Sequence, residues 1–177
     1  MLRWLALAAL LSPLATAQTA LSLHVGYVDF DLSGVGQTAV VDARVSTALH
    51  RFLTVEGGLG YSDTPQQFGD VAYLLPSAEV QAGLAIGRVR PFLGVGLGLF
   101  VPLEDPGERS FTQNGTTYTV DYDAATRYAA TVGLGADVDV TDRLLVRATG
   151  RLRASGSEVF EFSGTFAELT AGLGYRF

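Results

Sequence analysis

From Leu21 onward, apolar residues recur at every second position, and the three-to-four spacing of an amphipathic helix does not. Between residues 39 and 49 the odd positions are Ala39, Val41, Ala43, Val45, Thr47 and Leu49, while Asp42, Arg44 and Ser46 fall between them. Successive side chains of a strand point to opposite faces, so this segment is a strand with one apolar and one polar face. The same alternation marks segments beginning at Leu21, Leu53, Leu74, Leu93, Tyr128, Leu144 and Ala167, which makes eight strands. The first slips phase near Val28, and Pro76 removes a ladder donor in the fourth, predicting a bulge or strand end there.

The connections alternate too. Those near His50-Arg51, Gly87-Arg88 and Thr141-Asp142 are tight, and those at about 31–37, 62–72, 102–123 and 154–164 are longer. Antiparallel strands joined in this way form an up-and-down meander, and eight of them can close into a barrel without edges. Within the longest connection, Ser110–Thr112 and Thr116–Val120 flank Asn114-Gly115, the pattern of a hairpin.

Alternation leaves open which face is outside. A soluble lipid-carrying barrel turns its apolar face inward, and a membrane barrel turns it outward. The apolar face here carries no charge in any strand, and the polar face is crowded with glycine rather than with the lysine and glutamate of a solvated surface. Its central charges are Asp42, Glu56, Glu79 and Glu168 against Arg44, Arg127, Arg147 and Arg151. Buried charge is tolerated when paired, and the planar guanidinium engages carboxylates bidentately. The polar face therefore reads as a plugged, salt-bridged interior.

Composition narrows the function. The chain has 177 residues and no cysteine, which excludes thiol enzymes, disulfide scaffolds and zinc-cysteine sites. A formal charge of -6 argues against nucleic acid as a partner. The first residues form an address: Arg3, an apolar stretch from Trp4 to Leu14, then Ala15-Thr16-Ala17. That stretch is shorter than the roughly 20 residues a membrane helix needs, so residues 1–17 read as a cleavable signal peptide and 18–177 as one barrel domain.

The last strand closes on Tyr175-Arg176-Phe177, with an aromatic residue at the terminus and tyrosine two places before it. Together with the leader and the eight alternating strands, this resembles small bacterial outer-membrane β-barrel proteins of the OmpA and OmpX type. The resemblance implies an all-β fold, an eight-stranded antiparallel up-and-down transmembrane β-barrel preceded by a cleavable signal peptide. It implies an integral outer-membrane location, outer-membrane lipids as surroundings, a monomer, and recognition of Tyr175 and Phe177 by the barrel-assembly machinery. Both termini and the tight turns then lie on the inner side. Phe30, Tyr61, Tyr73, Phe100, Tyr128 and Phe166 fall near outer strand ends, and Phe52, Phe92, Tyr175 and Phe177 near inner ones, where some would form aromatic girdles.

No cofactor is indicated. There is no G-x-S-x-G. Some outer-membrane barrels that this chain resembles modify lipid A with a His, a Ser and an acid near the outer rim, and neither His24 on the polar face nor His50 at a turn falls there. Asp29–Gly34 opens like a calcium loop, but Val40 stands where the closing glutamate belongs. Gly94–Gly98 lacks the helix that a nucleotide loop requires. The outer loops are acidic, and Glu104, Asp105, Glu108, Asp121 and Asp123 form a patch suited to divalent cations or to an envelope or extracellular partner. The reading is a structural or interaction scaffold without enzymatic activity, displaying acidic loops; the alternatives are a lipid-modifying barrel enzyme and a small-solute pore. The intact mass of membrane-recovered protein is expected to match a chain beginning at Gln18; a mass that retains residues 1–17 overturns the leader.

Overall fold

The computed structural model describes residues 18–29, 37–63, 71–104, 107–113, 116–122, 126–158 and 161–177. The proposed leader and Phe30 lie outside them. Among the described residues ten strands form: β1 (Thr19–Asp29), β2 (Gln37–His50), β3 (Leu53–Asp63), β4 (Ala72–Gly83), β5 (Val89–Pro102), β6 (Gly107–Gln113), β7 (Thr116–Tyr122), β8 (Arg127–Asp139), β9 (Leu144–Glu158) and β10 (Glu161–Arg176). Eight of them pair in the order β1-β10-β9-β8-β5-β4-β3-β2 and close into a barrel. Neighbours are antiparallel throughout, and β1 seals the seam against β10 from Ala20↔Arg176 to Asp29↔Ala167. Among the described residues the wall has no edge strand, so its backbone donors and acceptors pair between strands, as a lipid environment demands, except for a short lapse beside Pro76.

Alternation translates directly into two surfaces. Leu93, Val95 and Leu97 on β5 are 67%, 61% and 71% exposed, and Val132, Leu134 and Val138 on β8 face outward with them. Glu56 and His24, at 1%, face the axis. The apolar face is therefore the outer one, which removes the soluble lipid-carrier alternative: an inward apolar face would leave these charged groups outside.

The tight connections hold as turns. Arg51 and Phe52 join β2 to β3. Between β4 and β5, Ile86 and Val89 exchange backbone hydrogen bonds of 2.7 and 3.2 Å around Gly87-Arg88, and Gly87 takes the positive φ of 63° that such a turn requires. The hairpin within the longest connection forms as β6 and β7, a two-stranded sheet apart from the barrel; its tip at Asn114-Gly115 is outside the described residues.

Three local expectations are corrected. Pro76 neither bulges nor ends β4: register with β3 runs unbroken through Leu59↔Pro76, and only pairing with β5 lapses, between Leu74↔Val101 and Ser77↔Gly98, with the same register on both sides. The missing N–H costs the ladder locally without adding a residue. The supposed loop at 154–164 is largely strand, since β9 runs to Glu158 and β10 starts at Glu161, with register shifts near Phe162. Small polar residues there weaken the apolar signal, but the backbone pairing needs no apolar face. In β1 the phase does not slip: both ladders run unbroken to Asp29, and Val28 keeps the inward parity of Ser22 and His24, an apolar side chain on the inner face.

The chain's one tryptophan is Trp4, so Val95→Trp in a chain beginning at Gln18 is a sole reporter. Its emission is expected to be strongly quenched by lipids brominated on the acyl tails; unchanged emission would place β5 the other way round.

Candidate functional site

The barrel axis is filled by side chains from seven strands. Strand parity delivers Asp42 and Arg44 from β2, Glu56 from β3, Glu79 from β4, Asp137 from β8, Arg147, Arg151 and Arg153 from β9 and Glu168 from β10, each nearly fully buried; Arg90 reaches in from β5. The neighbouring strand carries glycine where two of these stems pass over it. Arg44 lies opposite Gly58 and Arg151 opposite Gly133, where an added Cβ would sit 3.1 Å from the arginine Cγ in each case.

The charges form one connected set. Arg44 donates from Nε to Asp42 Oδ2 at 2.5 Å and from Nη1 to Glu56 Oε1 at 3.1 Å. Arg151 donates to three carboxylates: to Glu79 at 2.6 Å, to Glu168 at 3.0 Å and to Glu56 at 3.3 Å. Arg147 grips Asp137 bidentately at 2.5 and 3.0 Å and donates its remaining nitrogen to Glu56. Arg153 donates to Glu168 Oε2 at 2.9 Å. Arg90 closes the inner end, 3.6 Å from Asp137 and 2.6 Å from Thr54 Oγ1. Each buried guanidinium here faces a carboxylate, and each carboxylate a guanidinium. That mutual pairing offsets the several kcal/mol of desolvation each ion carries on leaving water.

Seven of the eight interior charges singled out by alternation come together: Asp42, Arg44, Glu56, Glu79, Arg147, Arg151 and Glu168. Arg127 does not. It opens β8 opposite Phe100 near the outer end, is half-buried, and makes no ion pair among the described residues. Alternation reports a residue's face but not its height along the axis. Three members were missed: Asp137, Arg153 and Arg90. Asp137 already lay on the polar side of its strand, and Arg153 continues the every-second-residue run of Arg147 and Arg151.

Above the ions, toward the outer end, the interior turns apolar. Val28, Val40, Leu75, Phe100 and Ala129 form a buried cluster, with Tyr73 and Phe166 packed against it. Phe100 meets Tyr73 edge-on at 6.3 Å and Phe166 at 4.9 Å between ring centroids. These three rings therefore pack inside and not in a girdle. Phe92 also turns inward, 4% exposed, with the Arg147 guanidinium 5.1 Å from its ring centroid. Tyr61 and Tyr128 at the outer end, and Phe52, Tyr175 and Phe177 at the inner end, stay on the outer surface. The parity signal was available, because Phe92 and Phe100 share their side of β5 with Gly94, Gly96 and Gly98.

His24 Nε2 lies 2.8 Å from Ser22 Oγ, both buried inside the wall. His50 sits at the inner turn, near the backbone N–H of Phe52. Of the acidic patch, Glu104 is exposed, Glu108 and Asp121 are opposite each other in the β6–β7 register, and Asp105 and Asp123 are outside the described residues. Among the described residues no three metal-ligating side chains converge.

A family model for the outer membrane protein beta-barrel domain matches residues 4–177. The chain belongs to this family. Among solved structures, it is similar to Neisserial surface protein A at 16% identity, with a TM-score of 0.63, covering 91% of this chain and 97% of that one. It is similar to OprG from Pseudomonas aeruginosa at 14% identity, TM-score 0.57, covering 91% and 96%. Ail, the attachment invasion locus protein of Yersinia pestis, is similar at 12% identity, TM-score 0.54, covering 91% and 99%. A search of curated proteins finds no match. These likenesses establish the fold and, with the family, an outer-membrane barrel.

Arg151→Met removes the partner shared by three buried carboxylates and is expected to cost about 3–5 kcal/mol in reversible unfolding from lipid vesicles. Arg127→Gln is expected to change stability by no more than about 0.5 kcal/mol. Equal effects would contradict the placement of the two arginines.

Proposed function

We propose that this protein is a closed outer-membrane scaffold, neither pore nor enzyme, whose barrel holds acidic loops at the cell surface. The observation that carries this reading is the sequence of two seals along one axis. A set of paired ions fills the middle of the lumen, and an apolar cluster of Val28, Val40, Leu75, Phe100 and Ala129 stands between it and the outer loops. An eight-stranded wall leaves an interior just wide enough for side chains. A solute passing through would have to break ion pairs in a low-dielectric interior and then cross a layer offering it no hydrogen bond.

The enzyme alternative lacks support in the same geometry. His24 and Ser22 are buried in the wall, and the Asp42 carboxylate opposite His24 is held by Arg44. Substrate would need a path to these groups from the membrane or the loops. Export through the leader and recognition of Tyr175 and Phe177 by the assembly machinery belong to this proposal. Both aromatic rings are exposed at the inner end of the closing strand, with centroids 5.3 Å apart, where a docking protein can reach them.

Purified protein reconstituted into planar bilayers is expected to give no discrete conductance steps in molar salt. Reproducible single-channel steps from the wild-type chain would replace the scaffold with the pore.

A further inference from the structure

The two ends of the barrel interior differ. The outer end is closed by apolar side chains, whereas the inner end opens into a cup of about 380 Å³. Its floor is the lower edge of the ion set, Arg147, Asp137 and Arg90, and its rim carries Arg51, Arg88 and Arg176. The cup is blind: anything entering from the inner side meets the paired ions and goes no further.

The cup has more cations than its carboxylates answer. Arg90 and Arg147 share Asp137, and Arg147 also holds Glu56. Arg176 lies 2.7 Å from Asp139. Arg51 and Arg88 have no carboxylate partner among the described residues; Arg51 lies over the Phe52 ring, 4.4 Å from its centroid. These two arginines come from different inner turns, β2–β3 and β4–β5, and so approach the cup from different parts of the wall. Low-dielectric walls around a surplus of one sign concentrate its field in the cavity.

We propose that this inner cup binds a phosphoryl-bearing anion. A phosphoryl group presents three or more anionic oxygens that do not share one plane, which suits guanidinium forks arriving from separate turns out of a common plane, whereas a carboxylate offers two oxygens in a single plane. Two sources carry that chemistry on the inner side of the membrane: a soluble phosphate or phosphate ester, and the headgroup of an anionic phospholipid of the inner leaflet.

The test titrates inorganic phosphate and glycerol phosphate into the full barrel in phosphatidylcholine nanodiscs at low salt, read by calorimetry. Saturable binding is expected, weakened about tenfold in Arg88→Gln and in Arg51→Gln by loss of one charge-assisted donor. Both side chains are exposed, so the barrel is expected to keep its heat-modifiable gel mobility. Arg143→Gln is the control: Arg143 is exposed at the β8–β9 turn, donates to Tyr175 Oη at 3.2 Å, and does not line the cup. Replacing part of the phosphatidylcholine by phosphatidylglycerol separates the sources. Suppression of the phosphate titration assigns the cup to the headgroup, and an unchanged titration assigns it to the soluble anion. Absence of saturable binding, chloride binding as tightly as phosphate, or an Arg143→Gln loss as large as that of Arg88→Gln would each overturn the proposal.

Discussion

A charge inside an eight-stranded barrel has no water shell to fall back on, so its stability depends on what stands within a few ångströms. That requirement organises this protein. Arg151 bridges β9 to carboxylates from β3, β4 and β10, and Arg147 ties β9 to β8 and β3. Strands far apart around the wall are thereby linked across the axis. Loss of one member leaves its neighbours charged and unpaired, which is costlier than the net worth of any one bond. The ion set is thus less a collection of separate salt bridges than a single filling that fits one arrangement of the wall.

The filling needs room, and glycine provides it. An arginine entering a narrow lumen first passes over the paired position on the neighbouring strand, and a side chain there would crowd its stem. Gly58 under Arg44 and Gly133 under Arg151 meet that need by cross-strand register. Gly135 does the same for the Phe92 ring, on which the Arg147 guanidinium is stacked. The Gly-Leu-Gly segments so conspicuous in the chain therefore combine two demands, with leucine for the lipid on one face and space for long charged groups on the other.

The axis is also polarised from end to end. An apolar cluster faces the outer loops, paired ions fill the middle, and an arginine-rich cup opens inward. A through-pore would need the same polar character along its whole length. This gradient is the physical basis of the proposed closed scaffold and of the proposed inner anion site.

The sequence by itself determined the strands, the two faces and the family of fold, because a strand's period of two is a local property and the outer face answers to lipid along its whole length. It also marked most of the buried charges, since Asp42, Arg44, Glu56, Glu79, Arg147, Arg151 and Glu168 all lie on the polar side of their strands. Tertiary structure alone decided height and partnership. Arg127 shares a face with Asp137 on β8, yet five turns of the alternation place one at the outer end and the other among the ions. Phe100 and Phe92 read as girdle aromatics by position, and parity with the glycines sends both inward. Which strand end meets which depends on shear, and shear is set only when β1 closes on β10; a local pattern carries no information about a registration made between the two ends of the chain.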